Sequence, residues 1–451
     1  MKKLHDLKPM LIILLLAFLI MSCKKGWLDA KPSKSLVVPG TPEEYQTILD
    51  NTSLFNNGGP IWGEVASDDH YATDNIVNAA SAIERNSYIW AKDVFEGNTV
   101  VNWQNAYRRI LQCNIVIEGL DDLPASEHQT TSFKNTKGSA YFYRAYDFYN
   151  LAQEYCKAYT ASTAASDLGI PLRLSANINE KSFRATVQET YDQIIGDLRT
   201  ARALVPVSPV YKTRPSQAAV YGMLARVYLS MEDYSLAKVY ADSCLALHSK
   251  LLDYNTLNAS ASRPFVRFND EVIFHWLTGF SNITRLGQVD NSLYDQYQLN
   301  DLRRTLFYTP AKVFKGTYDG TFSLFNGLAT DEILLIRSEC LARAGQVNPA
   351  LSDLNTLLKS RWSNSVPYVP VTASSSTDAL DKILVERRKE LAYRGLRWTD
   401  LRRLNKDTRY AKTITRTIAG QNYQLPPNSQ LCVFPIPIEE INASGIPQNP
   451  R

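Results

Sequence analysis

Metal, redox and phosphate chemistry have little to stand on in this chain. It holds only five histidines, and His70, His128, His248 and His275, the ones beyond the first apolar run, show no metal-ligand spacing among themselves. No C-x-x-C is present, which leaves zinc and dithiol redox motifs unsupported. G-x-S-x-G, H-E-x-x-H and the phosphate-loop pattern are missing too, so the common hydrolase, metalloprotease and nucleotide-binding signatures are gone. Basic tracts are absent, and a formal charge of +4 is small for 451 residues, so nucleic acid is not an expected partner. Period-2 alternation is weak and short, which argues against a sheet protein. No cofactor and no metal is implied.

What is present begins at the first residues. Lys2, Lys3 and Lys8 precede an apolar run from Met10 to Met21. A spanning helix needs roughly 20 apolar residues, so the run suits the apolar region of a secretory signal instead. It ends in Leu19-Ile20-Met21-Ser22-Cys23, which resembles a bacterial lipobox. That resemblance implies that residues 1–22 are removed and that Cys23 is lipidated. An ordinary signal peptide that happens to contain a cysteine is the plainer alternative. One acyl chain binds a membrane only reversibly, whereas the several chains of a diacylated, N-acylated cysteine anchor it. No second apolar run reaches spanning length, so the expectation is a chain anchored to a membrane, not threaded through it. The other cysteines are Cys113, Cys156, Cys244, Cys340 and Cys432. The first four of these sit in apolar helical patterns and read as small buried hydrophobes. With 25 Tyr and 7 Trp the chain has more large amphipathic aromatics than a core needs, so some are expected at the surface, where they favour recognition.

The organisation is helical. Lys24 to about Pro42 reads as an extended tether. Thr41-Pro42-Glu43-Glu44 is a helix start, with a threonine cap, proline in the first turn and acids at the positive end. Asn51 to about Tyr88 is irregular and polar. Thr186-x-x-Glu189 is a capping box before an apolar helical face at Val187, Tyr191, Ile194, Ile195 and Leu198. Small and large residues alternate in Ala219–Leu247 around a turn at Met231-Glu232-Asp233. They do so again in Asp331–Leu358 around Gly345. Both match the tetratricopeptide pattern, in which a small side chain on one helix lets the next approach closely. Gly138–Tyr155 looks like the first helix of another pair. The strand candidates are Val272–Trp276 and Leu431–Ile436. The predicted fold is mostly α: a tetratricopeptide-like helical-repeat scaffold with long loops and a few short strands.

The ordered segments resemble the SusD/RagB family of Bacteroidetes. The resemblance rests on Gly138-x-Ala140-x-Phe142-x-Arg144-Ala145, Gly169-Ile170-Pro171-Leu172, Arg214-Pro215-Ser216 with the helix to Leu229, and Glu332-x-x-Leu335-x-Arg337-x-Glu339. Its most specific part is Glu386-Arg387-Arg388-x-Glu390-Leu391 through Gly395-x-Arg397-Trp398-x-Asp400-Leu401-x-Arg403, and the chain closes on Phe434-Pro435-Ile436-Pro437 and Gln448-Asn449-Pro450. It departs from the family in its shortness between the repeat halves and in the lysines, Lys24 and Lys25, that follow Cys23. The implied layout is a lipoprotein signal at 1–22, a lipidated tether at 23–42, an N-terminal half at 43–260 and a C-terminal half at 261–451. The implied role is a non-catalytic lipoprotein of the outer membrane, facing outside. It would capture a nutrient, a glycan or, on the RagB branch, an oligopeptide, for a SusC-like TonB-dependent transporter.

Two readings of the polar residues follow. Glu386 and Glu390 share a helix face at i, i+4 and suggest a catalytic pair, but acids interleaved with Arg387, Arg394, Arg397 and Arg403 at helical spacing more simply form ion pairs that lock helices together. A surface hydrolase working through Glu386 or Asp68/Asp69 is the remaining enzymatic alternative, and it would need two carboxylates across a cleft. Sugar recognition needs flat aromatics beside amide or carboxylate groups. Two irregular segments supply them: Trp62, Asp68, Asp69, His70, Tyr71 and Asn75, and Trp276, Asn282, Asn291, Tyr294, Asp295 and Tyr297. The family builds its ligand site from loops in roughly these regions, and an aromatic packed beneath a loop is the plainer reading of each residue.

Overall fold

Helix α1 (Pro42–Leu49) starts as its sequence predicts: the Thr41 side chain accepts from the Glu44 N–H, and Pro42 stands in the first turn. The computed structural model describes residues 39–451. Cys23 and most of the expected tether lie outside the described residues. Thr41–Arg451 forms one compact unit.

In chain order, the elements that matter begin with α2 (Trp62–Ala66), β1 (His70–Tyr71), α3 (Asp74–Ala79), α4 (Val101–Asp121) and α5 (Thr131–Tyr155). Next come α6 (Val187–Leu204), α7 (Gln217–Ser230), α8 (Tyr234–Leu247), β2 (Val272–Phe274), α9 (Asn282–Leu286), β3 (Gln288–Val289) and β4 (Leu328–Ala329). The last are α10 (Thr330–Arg343), α11 (Val347–Lys359), α12 (Ser376–Glu390), α13 (Arg397–Leu404), β5 (Ile414–Ile418) and β6 (Gln421–Leu425). The fold is mostly helical, with short two-stranded ladders.

Three helix pairs carry the scaffold: α5 against α6, α7 against α8, and α10 against α11. Close approach at small residues makes each possible. A Cβ on Gly138 of α5 would lie 2.8 Å from Leu204 at the end of α6. The Cys244 thiol donates to the Ala218 carbonyl at 3.1 Å between α7 and α8. Ser338 donates to the Ala350 carbonyl at 2.8 Å between α10 and α11. The turns take the left-handed backbone their length requires, at Glu232 (φ 63°) and Gly345 (φ 76°). The capping box at Thr186 and Glu189 is formed, and Cys113, Cys156, Cys244, Cys340 and Cys432 are free and buried.

Buried arginine–carboxylate pairs fasten neighbouring helices. Arg109 joins α4 to Asp147 of α5, Arg144 joins α5 to Asp197 of α6, and Arg226 joins α7 to Glu332 of α10, at 2.6, 2.7 and 2.7 Å. Such planar two-pronged pairs fix geometry as well as adding energy. The Glu386–Arg403 segment extends the same device. Arg403 bridges Glu339 and Asp400, Arg387 also reaches Asp400, and Arg303 gathers Asp301, Glu386 and Glu390. Burial alone would raise the Glu390 carboxyl, but Arg361 and Arg303 outweigh it and hold it below its usual range.

One of the two strand expectations needs correction. Val272–Phe274 is a strand, whereas Leu431–Ile436 is not: Gln430–Cys432 forms a 3-10 turn, and Pro435 and Pro437 withhold the N–H groups a ladder needs. A hairpin stands instead at β5–β6, closed by Ala419 (φ 48°) and Gly420 (φ 77°), the two left-handed residues a tight hairpin turn requires.

Candidate functional site

A polar cleft of about 680 Å³ lies between the β1–α3 segment and the β5–β6 hairpin. Each wall follows from local sequence. Thr73 caps α3 by accepting from the Ile76 N–H, which leaves Asp74 and Asn75 exposed in the first turn. In β5 the side chains alternate: Ile414, Arg416 and Ile418 turn inward, and Thr415 and Thr417 stay exposed. The cleft is therefore lined by threonine hydroxyls, by Asp74, Asn75 and Asp290, and by Tyr71, whose side is 47 % exposed.

Its floor is a charged cluster. Arg397 grips Asp68 with contacts at 2.6 and 3.0 Å, and Lys412 adds a third at 2.7 Å. Burial opposes ionisation of Asp68, but Arg397, Arg388 and Lys412 prevail and hold its carboxyl well below the usual range. Asp69 is bound by Arg388 at 2.8 Å. Burial, aided by the positive Arg416, drives His70 down to about 3, so its ring is neutral. Arg416 passes beneath, its guanidinium 3.6 Å from the Tyr88 ring centre and hydrogen-bonded to the Tyr88 and Ser67 carbonyls. Glu64 is pushed up to about 8 by burial and by Asp69, but it lies in the interior, accepting from Gly395 N–H at 2.9 Å, and does not line the cleft.

The structure brings the two predicted segments together. β1 pairs antiparallel with β3, His70 opposite Val289 and Tyr71 opposite Gln288, and the Asp290 N–H donates to the Asp69 carbonyl at 2.9 Å. Of the first segment, Asp68, His70, Tyr71 and Asn75 line the cleft. Trp62 is in the core, and Asp69 is sealed under Arg388. Of the second, Asp295 and Asn291 are exposed, Asn282 is half-buried, and Tyr294 is half-buried between Arg304 and Lys312, each within 4.8 Å of its ring centre. Trp276 is fully buried, its ring 4.6 Å from that of Tyr146 and 5.1 Å from the Arg109 guanidinium. Tyr297 is buried, its hydroxyl donating to the Lys389 carbonyl at 2.7 Å. Packing thus takes Trp62, Trp276 and Tyr297 as core residues, with no face left for stacking on a ligand. Thr415, Thr417, Asp290 and Lys412 join the cleft without having been singled out in the sequence. For Thr415 and Thr417 the signal was the Ile-Thr-Arg-Thr-Ile alternation before Ala419-Gly420, and Asp290 and Lys412 had none.

Carboxylates also cluster elsewhere. Oxygens of Glu271, Asp331 and Glu390 lie within 4.8 Å of one another, all buried. Arg361 contacts Glu271 and Glu390, and Arg394 contacts Asp331, so guanidinium groups supply the positive charge there. Glu386 and Glu390 both bind Arg303, which is the helix-locking role.

Comparison with known proteins adds a family likeness. A family described as starch-binding and associating with the outer membrane matches residues 26–229, and the SusD family matches residues 330–451. A SusD-like protein of Formosa agariphila is 21% identical, with 90% of this chain and 93% of that protein covered. Among solved structures, a SusD superfamily protein of Bacteroides thetaiotaomicron superposes with a TM-score of 0.73 at 20% identity, covering 91% of this chain and 100% of that one. A laminarin-binding SusD-like protein superposes with a TM-score of 0.61 at 19% identity, covering 90% of this chain and 97% of that one. These likenesses show a shared fold.

Proposed function

The chain belongs to the SusD/RagB family, whose members associate with the outer membrane, and from that premise we propose that it is a non-catalytic, Cys23-anchored lipoprotein that captures an oligosaccharide. The cleft beside β1 and β5 is the capture site, and a SusC-like TonB-dependent transporter in the same membrane receives the cargo. No helix among the described residues is long and apolar enough to cross a membrane, which suits a protein held by its lipid.

One observation carries the reading: the half-exposed ring of Tyr71 stands in a cleft rimmed by the hydroxyls of Thr415 and Thr417 and the polar side chains of Asp74, Asn75 and Asp290. Saccharides present apolar C–H faces and hydroxyls that both donate and accept. Tyrosine stacks on the first, and threonine, amide and carboxylate groups match the second. The carboxylates a hydrolase would draw on are committed. Asp68 is held ionised by three cations, and Glu386 and Glu390 sit on Arg303. The laminarin-binding neighbour supports a saccharide cargo over a peptide.

The test is an array of oligosaccharides and oligopeptides probed with the mature lipoprotein in detergent, beside its Tyr71→Ala variant. Saccharide binding that weakens several-fold in the variant is expected, since one aromatic contact contributes about 1 kcal/mol. Binding confined to peptides would replace this reading by the oligopeptide one, and cleavage of bound saccharide would end the non-catalytic assignment.

A further inference from the structure

Residues from Arg263 to Leu324, on both sides of β2, hold a second cleft, of about 310 Å³, with an unusual charge balance. Arg263, Arg285 and Lys315 line it, and no aspartate or glutamate does. The Lys315 ammonium donates to the Ala259 and Ala261 carbonyls, at 2.6 and 3.2 Å, and has no carboxylate within ion-pair distance among the described residues. Arg263 donates to the neighbouring Ser262 carbonyl, and its Nε is buried without a partner. Arg285 has no carboxylate within ion-pair distance among the described residues. It rests on Phe280 and Phe322, 5.3 and 5.8 Å from their ring centres, while Arg263 covers Phe322 at 3.9 Å.

Three features make this more than a basic patch. Phe280 and Phe322 are 63% and 65% exposed, so large apolar rings are held at the surface beneath guanidinium groups. Burial lowers the proton affinity of Arg263 with no opposing charge, and burial together with Arg263 does the same to Lys315. Arg263 and Lys315 therefore stand in a partly desolvated place where an arriving anion would gain most, and Arg285 reaches in from the exposed rim. Threonine hydroxyls, Thr284, Thr309 and Thr321 among them, line the same walls.

The two clefts flank one ladder. Tyr71, in the first, pairs with Gln288, and Gln288 bridges to Val313, which together with Leu286 lines the second. Two strand spacings, about 10 Å in all, separate the edges of that ladder.

We propose that this second cleft is an anion subsite, taking a carboxylate or sulfate ester borne by a saccharide whose neighbouring units lie at Tyr71, so that the cargo is an acidic oligosaccharide. The inference rests on the saccharide reading above and names the class within it. Guanidinium forks suit either anion, and the stacked phenylalanines suit the sugar ring that carries it.

The test uses the mature lipoprotein in detergent against an array holding neutral, uronate-bearing and sulfated oligosaccharides, with the affinities of retained ligands measured by calorimetry. Charged members are expected to bind about tenfold or more tightly than neutral counterparts on the same backbone. That advantage should shrink as salt rises. The Arg263→Gln/Arg285→Gln variant should remove most of it, Lys315 keeping the remainder, and Tyr71→Ala should weaken charged and neutral saccharides alike. The uronate and sulfate arms decide which anion is preferred. Retention of neutral saccharides alone, or a charge preference undiminished in the double variant, overturns the anion subsite and leaves the saccharide reading standing. Retention of no saccharide removes both.

Discussion

Arginines serve opposite ends in two regions of this molecule. Around the C-terminal helices three buried guanidiniums meet acids: Arg303 meets Asp301, Glu386 and Glu390, Arg361 meets Glu271 and Glu390, and Arg403 meets Glu339 and Asp400. In the loop cleft Arg263 and Arg285 meet only phenylalanine rings and backbone. The first set is buried and self-satisfied, and its chemistry is complete within the fold. The second is at the surface with its charge unanswered, and its chemistry is open to something outside. Sequence alone shows arginine in both places. The neighbours decide which arginines build and which recognise.

The sharpest way to break the comparison is to open the lattice. Glu390→Ala would leave Arg303 and Arg361 each short of a buried partner. Removing one member of a buried ion pair costs about 3–5 kcal/mol, most of it from the stranded charge. Urea unfolding should show a loss of this size. A loss within about 0.5 kcal/mol would mean that the lattice is incidental to stability.

The next test concerns an acid that the lattice does not reach. Among the described residues Glu64 has no cation within ion-pair distance and its buried Oε1 has no partner, and its carboxyl is pushed up to about 8 by burial and by Asp69. An acid whose pKa rises on folding holds its proton more tightly in the native state. Its contribution is whole below the unfolded value, near 4.5, and is lost as pH climbs through about 8. Glu64→Gln keeps an acceptor for the Gly395 N–H and carries no charge. The variant should therefore gain on the parent as pH rises from 5 to 8, by up to about 1 kcal/mol per pH unit. Paired unfolding curves at several pH values read this directly. Glu154 and Glu271, both pushed up to about 7 by burial, titrate in both proteins and cancel in the difference. Parallel curves would show that Glu64 is ionised throughout.

The same division explains what could be read in the chain before folding. Helix pairs were legible because their signal is local: Ala219 and Ala241 recur where helices touch, and Thr186-x-x-Glu189 marks a helix start by itself. The lattice was legible in kind, since acids and arginines at helical spacing around Glu386–Arg403 have few other uses. Its outer partners, Glu271, Asp301, Arg303 and Glu339, come from distant segments and carry no spacing rule. The loops were the hard part. Trp276 and Tyr297 stand among polar residues like recognition aromatics, yet the segment folds inward and packs Trp276 against Tyr146 and Arg109. Tyr71, three residues beyond the buried Asp68, keeps its ring in solvent because β1 turns alternate side chains to opposite sides. Which aromatic faces out is set by pairing with β3, more than two hundred positions away, and no local pattern records it.

The smallest expected effect is the most telling about the loop cleft. Arg285 contributes to the fold only through contact with exposed rings, worth about 0.5–1 kcal/mol at such sites. Arg285→Ala should therefore change unfolding stability by no more than that, where Arg403→Ala, which takes a buried partner from both Glu339 and Asp400, should cost several-fold more. The contrast is read by unfolding both variants in the same buffer, and salt sharpens it. Screening reaches exposed charges and spares buried ones, so 0.5 M salt should leave the Arg403→Ala deficit nearly unchanged. If Arg285→Ala destabilised the fold as much as Arg403→Ala, Arg285 would belong to the building set, and the unanswered charge in the loop cleft would be a structural device with no ligand to await.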